Sequence, residues 1–262
     1  MLGLGVIAIL VPLQRREARK AVYPSSPDNG TPCPAGIEDL VFASEDGTRI
    51  HGWLARVPGA TRSVLMAHGN AGNIELRGSE IQTVARLTSS NTLMFDYRGY
   101  GRSEGSPFEA GVAADARAAL AALEKATGVP IARTVIIGHS LGGAVAIDLA
   151  ARTPVAGLVV LSSFTSIDDM VHYRLGAPFG FLCPETWDSQ GKIGKVACPK
   201  LFAHGDKDDV IPFAQGYALY EKASEPKRFV NVPGGDHYTL DVALGEIVRF
   251  VDSCVPAPGV SR

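Results

Sequence analysis

Thr134-Val-Ile-Ile-Gly-His-Ser-Leu-Gly-Gly-Ala-Val-Ala-Ile-Asp-Leu-Ala150 is the stretch whose reading decides the fold. Residues 134–137 are β-branched throughout, as in a strand buried on both faces, and residues 144–151 are rich in alanine, as in a helix packed on a sheet. Between them stands Gly138-His139-Ser140-Leu141-Gly142. A serine on a sharp strand-to-helix turn, with glycine two residues to either side, is the pattern of a nucleophile elbow. Such a turn lifts the Ser140 hydroxyl above the sheet. The start of the following helix then supplies a backbone N–H, that of Leu141, and a dipole that favours negative charge.

The chain holds the Gly-x-Ser-x-Gly spacing twice, the other copy being Gly101-Arg102-Ser103-Glu104-Gly105. That copy follows a glycine-rich turn rather than a strand, and Ser106-Pro107 comes before any helix begins, so Ser103 reads as a loop residue. The same glycine-rich stretch lacks the spacing and the Lys-Ser/Thr pair of a phosphate loop.

Outward from the elbow, short apolar runs at 63–67, 92–95, 134–137, 156–161, 200–203 and 227–232 alternate with helical stretches near 73–87, 108–127, 141–152, 213–223 and 239–251. This alternation predicts an α/β fold, a mostly parallel sheet with helices on both faces. Residues 38–44 and 48–57 alternate as strands around Glu45-Asp46-Gly47 and predict an antiparallel N-terminal hairpin. The residues from Ser162 to Ala197 form an unusually long connection, apolar yet broken by Gly176, Pro178, Gly180 and Pro184. Its aromatics suit a small cap, residues 163–197, folded over the C-terminal edge of the sheet, where open α/β sheets place their sites.

A chain of 262 residues with 46% hydrophobic content has core enough for one large domain, expected over 38–255 with a tail at 256–262. A formal net charge of −2 without long basic runs argues against nucleic acid as the main partner. Cys33, Cys183, Cys198 and Cys254 are widely spaced and do not make a metal pattern. Residues 21–37, with Pro24, Pro27, Pro32 and Pro34, read as a linker. Before it, Leu2 to Leu13 is apolar and stops at Gln14-Arg-Arg-Glu-Ala-Arg-Lys20. That run is shorter than the roughly 20 residues a spanning helix needs, and its basic flank lies on the wrong side for a secretory signal. It reads as a membrane anchor over 1–20, with the basic flank favouring a cytoplasmic domain; a soluble cytoplasmic protein is the alternative.

Ser140 needs a base and an acid, which this architecture takes in chain order acid, then histidine. Of His51, His68, His139, His172, His204 and His237, only His237 follows the acidic loop beyond the strand at 200–203. His139, beside the serine, is expected to serve structure. Three aspartates compete in His204-Gly-Asp-Lys-Asp-Asp-Val-Ile-Pro212: Asp206 suits an Asx turn, Asp209 suits a helix N-terminus, and Asp208 remains the leading candidate. A second oxyanion donor is expected from His68-Gly-Asn-Ala-Gly-Asn73, from the backbone of Asn70 or Ala71.

Taken in order, His68-Gly-Asn-Ala-Gly-Asn, Asp96-Tyr-Arg-Gly-Tyr-Gly-Arg-Ser, Gly138-His-Ser-Leu-Gly-Gly, His204-Gly-Asp-Lys-Asp-Asp-Val-Ile-Pro and Gly234-Gly-Asp-His resemble the α/β-hydrolase superfamily. Within it, the likeness is to small serine hydrolases related to the bud-emergence protein and the membrane-associated protein depalmitoylases. The resemblance covers about residues 38–252 and implies a triad of Ser140, Asp208 and His237, with Asn70 and Leu141 at the oxyanion hole. It implies hydrolysis of a carboxylic ester or thioester of a small or acylated substrate, without metal or organic cofactor. A membrane-tethered serine peptidase and a non-catalytic scaffold are the rival functions. Asp236, directly before His237, departs from the glycine that many relatives carry, and is expected to bear on the histidine's charge.

Overall fold

The computed structural model describes residues 15–176 and 183–256. The apolar run at 2–13 and the cap aromatics Phe179 and Phe181 lie outside these. Eight strands form one sheet: β1 (Ile37–Ala43), β2 (Arg49–Ala55), β3 (Ser63–Ala67), β4 (Asn91–Phe95), β5 (Thr134–His139), β6 (Gly157–Leu161), β7 (Lys200–Gly205) and β8 (Lys227–Val232), in the order β1-β2-β4-β3-β5-β6-β7-β8. The β1–β2 and β2–β4 pairs are antiparallel and every other pair is parallel. This is the α/β-hydrolase fold, with the antiparallel N-terminal pair expected from the hairpin pattern. Gly47 sits at φ +84° in the β1–β2 turn, where only glycine is unstrained.

Successive residues of the central strands face opposite layers, as the strand period requires. Leu65 and Ile136 pack under α3 (Glu109–Thr127) and α4 (Leu141–Ala150). Val64, Met66, Val135 and Ile137 pack under α2 (Gly78–Thr88) and α8 (Leu240–Cys254) on the other face. Every residue of α4 is buried, so the helix behind the elbow is a rigid internal element.

The sequence pattern predicts a helix from Asn73, yet α2 begins only at Gly78, after a 3-10 turn at Ile74–Leu76. Two side chains cap this turn. Asn73 Oδ1 accepts the Glu75 N–H at 3.1 Å, and Asp96 Oδ1, from the far end of β4, accepts the Ile74 N–H at 2.9 Å. Both satisfy N–H groups that the first turn of a helix leaves without an intrahelical acceptor.

Between β6 and β7 lie α5 (Ile167–Leu175) and α6 (Ser189–Ile193), with α7 (Phe213–Lys222) following β7. Residues 15–22 form a further helix, α1, and the stretch after it lies along the domain. Tyr23 is 3% exposed, and its hydroxyl accepts the Trp187 Nε1–H at 2.7 Å. Gly101 N–H donates to Ser26 O at 2.8 Å, and Asn73 Nδ2 to Pro27 O at 3.1 Å. Among the described residues no helix is long and apolar enough to cross a membrane.

Candidate active site

Ser140 follows the last residue of β5 and caps α4 at φ 57°, ψ −120°. A non-glycine residue in this region stores about 1–3 kcal/mol of strain and persists only where its surroundings hold it. Here they do: Ser140 N–H donates to Leu161 O at 2.9 Å, and Ser140 O accepts from Gly143 N–H and Ser163 Oγ, each at 2.9 Å. The flanking glycines are required by contact. A Cβ on Gly138 would lie 2.1 Å from Gly142 O, and one on Gly142 would lie 2.0 Å from Ala67 O. Ser103, in the other copy of the motif, is a structural tie in a loop, donating to Asp96 O at 2.8 Å and accepting the His51 N–H at 2.9 Å.

Asp208 and His237 meet at the C-terminal end of β7. His237 Nδ1 donates to Asp208 Oδ2 at 2.8 Å. The other oxygen, Oδ1, accepts the N–H groups of Val210 (2.9 Å) and Ile211 (2.8 Å), so the Asx geometry expected of Asp206 belongs to Asp208. The Asp208 side chain is inaccessible. Burial alone would raise its pKa, but hydrogen bonds from His204, His237 and the Ile211 N–H outweigh it and hold the carboxyl well below the usual range. Asp206 instead braces the histidine loop, accepting the Gly234 N–H at 2.7 Å, while Asp209 is exposed. Asp236 Oδ1 accepts the Tyr238 N–H at 2.8 Å.

Two further histidines support this pair. His204 Nε2 lies 3.2 Å from Asp208 Oδ2 and 3.0 Å from Ile211 O, so the aspartate is flanked by two imidazoles. His139 Nε2 donates to His237 O at 2.8 Å, and the two rings are 4.8 Å apart between centroids. Burial, then the neighbouring His237, lowers the His139 pKa to about 4, so this ring is neutral and keeps its proton on Nε2. His139 thus couples the serine turn to the histidine loop. Sequence alone carried one signal for each, adjacency to Ser140 for His139 and to the acidic loop for His204, but no indication of the partner.

The loop after β3 lies across the elbow. A Cβ on Gly69 would be 3.4 Å from Ser140 Cβ, so this loop passes close to the serine. Asn70 is fixed at both ends: its carbonyl accepts Tyr100 Oη–H at 3.0 Å and its Nδ2 donates to Val22 O at 3.3 Å. Tyr97 Oη–H donates to His68 O at 2.6 Å. Behind the loop, buried Asp96 stands 3.5 Å from His68 Nε2 and 3.7 Å from His51 Nδ1. Burial would raise the Asp96 pKa, but His51, His68 and the Ile74 N–H together lower it, leaving a carboxylate that anchors the loop from beneath. The Leu141 N–H is in the first turn of α4, where backbone donors have no intrahelical acceptor.

Ser140, Leu141 and Asn70 open together onto a cavity of about 550 Å³. Its walls are apolar side chains of the segment between β6 and β7, chiefly Phe164, Ile167, Met170 and Val171, with Ile211 beside Asp208. Residues of α1, a helix the sequence pattern assigns to an anchor and linker, complete the lining. Cys183 also faces the cavity, its thiol pKa pushed up by burial.

A model described as the alpha/beta hydrolase family matches residues 64–189. An uncharacterized protein of Mycobacterium tuberculosis is 38% identical over 93% of this chain and 87% of its own length. The alpha/beta hydrolase domain-containing protein WAV2 of Arabidopsis thaliana is 32% identical over 95% of this chain and 91% of its own. Protein bem46 of Schizosaccharomyces pombe is 31% identical over 94% and 88%. Among solved structures, a Pyrococcus furiosus esterase superposes with a TM-score of 0.72 at 19% identity, over 88% of this chain and 95% of that one.

Proposed function

The chain belongs to the α/β-hydrolase family, in the branch that includes bem46, and we propose that within it the protein is a serine hydrolase cleaving carboxylic esters or thioesters of small or acyl-chain substrates. The observation that carries this reading is a serine held at positive φ on the floor of an apolar cavity, at the sheet end where a buried aspartate orients a histidine.

The chemistry follows from the proton positions. With Nδ1–H given to Asp208, the neutral His237 ring has its lone pair on Nε2. Ser140 Oγ attacks the carbonyl carbon while its proton passes to Nε2, and Asp208 stabilises the imidazolium that results. The carbonyl π electrons move to oxygen, which accepts hydrogen bonds from the Leu141 and Asn70 N–H groups, each donor worth about 3–4 kcal/mol in the transition state. Collapse of the adduct expels the alcohol or thiol, which takes the proton from Nε2 and leaves an ester on Oγ. Water then repeats the sequence, its proton going to Nε2 and on to Oγ as the carboxylic acid leaves.

Hydrolysis of p-nitrophenyl esters of increasing acyl length by wild type, Ser140→Ala and Ser103→Ala tests this reading. Turnover is expected in wild type and Ser103→Ala, with a loss on the order of 10⁶ in kcat for Ser140→Ala. Inactivity of wild type on every ester and on the matching thioesters would refute it, and faster cleavage of aminoacyl amides would favour the peptidase. The reading includes an anchoring role for the apolar run at 2–13, which binding of the full chain to phospholipid vesicles, and loss of binding without residues 1–14, would test.

A further inference from the structure

Resting on that hydrolase reading, we infer that α1 is a wall of the acyl site and that Ala18 and Ala21 set the length of acyl chain the protein accepts. Ala18, Ala21 and Val22 line the same cavity as Ser140. The i, i+3 spacing puts the two alanines on one helix face. They share the cavity with Ile167, Met170 and Val171 of α5, so its lining between α1 and α5 is mainly hydrocarbon, with the charged side chains Glu17 and Arg174 also reaching it. A lining so largely apolar suits an alkyl chain.

The position of α1 is held by contacts to three separate parts of the molecule. Arg19 Nε donates to the buried Glu185 Oε1 at 2.6 Å, and Tyr23 bonds Trp187, which ties the helix to the segment between β6 and β7. Val22 O takes the Asn70 side chain at 3.3 Å, which ties it to the expected oxyanion loop. Ser26 O takes the Gly101 N–H at 2.8 Å. An anchor needs only continuity of the chain; a site wall needs a fixed distance from the nucleophile, and these contacts supply it. The N-terminal segment therefore determines specificity as well as location.

The test is the ratio of kcat/KM for p-nitrophenyl dodecanoate to that for the butyrate, in wild type, Ala18→Trp, Ala21→Trp and Arg16→Trp. Each methylene denied its apolar wall costs roughly fourfold. The ratio should fall about tenfold or more in both alanine variants, and stay at the wild-type value in Arg16→Trp, whose residue is exposed and outside the cavity lining. A ratio is independent of the fraction of protein that is folded, so partial unfolding does not mimic the effect. An unchanged ratio in the alanine variants, or an equal fall in Arg16→Trp, would overturn the inference. A second readout separates it from the hydrolase reading: titration of a fluorescent dodecanoic acid into Ser140→Ala protein, with and without Ala18→Trp. Binding weakened tenfold or more by Ala18→Trp, together with wild-type protein that turns over no ester, would leave the wall standing while the hydrolase reading fell. Ester turnover with ratio and binding both unmoved would do the reverse, and absence of both turnover and binding would overturn both.

Discussion

Replacing Asp208 by Asn changes little in shape and much in proton position. The two backbone donors, Val210 and Ile211, keep an acceptor in the amide oxygen. The amide NH₂ then faces His237 Nδ1 and His204 Nε2, where the carboxylate oxygen had accepted from both. To pair with an NH₂ donor, the His237 ring must carry its proton on Nε2, and in that tautomer it cannot accept the proton of Ser140. Reversal of the tautomer costs about 10⁴-fold in kcat, roughly 5 kcal/mol. KM should hold, because Asp208 is not among the cavity-lining residues. Two charge-assisted hydrogen bonds are also lost or inverted, so stability should fall by about 2–4 kcal/mol. The carboxyl pKa is depressed in the folded state, so its contribution is present above the unfolded value of 3.8 and is lost as pH falls through the folded value. The stability gap between wild type and Asp208→Asn should therefore narrow on acidification. Ester hydrolysis and circular-dichroism melts for Asp206→Asn, Asp208→Asn and Asp209→Asn separate the cases. Retention of kcat within tenfold by Asp208→Asn, with a thousandfold loss in either neighbour, would refute the reasoning.

Three other substitutions probe the frame around the site. Gly142→Ala would drive a Cβ to 2.0 Å from Ala67 O, so backbone must shift; we expect a destabilisation of about 3 kcal/mol or more, read as a lower denaturant midpoint. Asp115→Ala removes the buried carboxylate that Arg98 holds through Nε and Nη2 and leaves its guanidinium the half-exposed Asp46 at 2.8 Å, which should cost about 2–3 kcal/mol in a urea titration. His139 has its pKa lowered from 6.5 to about 4, so between those values the unfolded chain binds the extra proton and stability falls as pH falls, by about 3 kcal/mol in all. His139→Asn should flatten that slope in melts taken from pH 7 to pH 4.

The elbow, the strand and helix order and the antiparallel hairpin were legible because each rests on local chemistry: β-branched runs, an alanine-rich helix, and glycines at a sharp turn. The start of α2 was not: a 3-10 turn at Ile74–Leu76 precedes it, its first N–H held by Asp96 from just beyond the end of β4. Spacing alone left Asp206, Asp208 and Asp209 open, and resemblance to a family chose among them. In the fold the reason is visible: the end of β7 turns Asp208 inward to two imidazoles, while Asp206 faces the Gly234 N–H.

The N-terminal segment marks the boundary most clearly. A basic, proline-punctuated stretch reads as anchor and linker, because nothing local shows that Tyr23 is buried against Trp187 or that Ala18 faces the cavity of Ser140. Sequence by itself determined the succession of strands and helices and the serine turn, since backbone preference and hydrophobic period act over a few residues. Only the tertiary structure decided which aspartate meets the histidine, which ring braces it and which helix closes the cavity. Those are contacts between residues dozens to more than a hundred positions apart, made by the packing of whole elements and carrying no short-range signal.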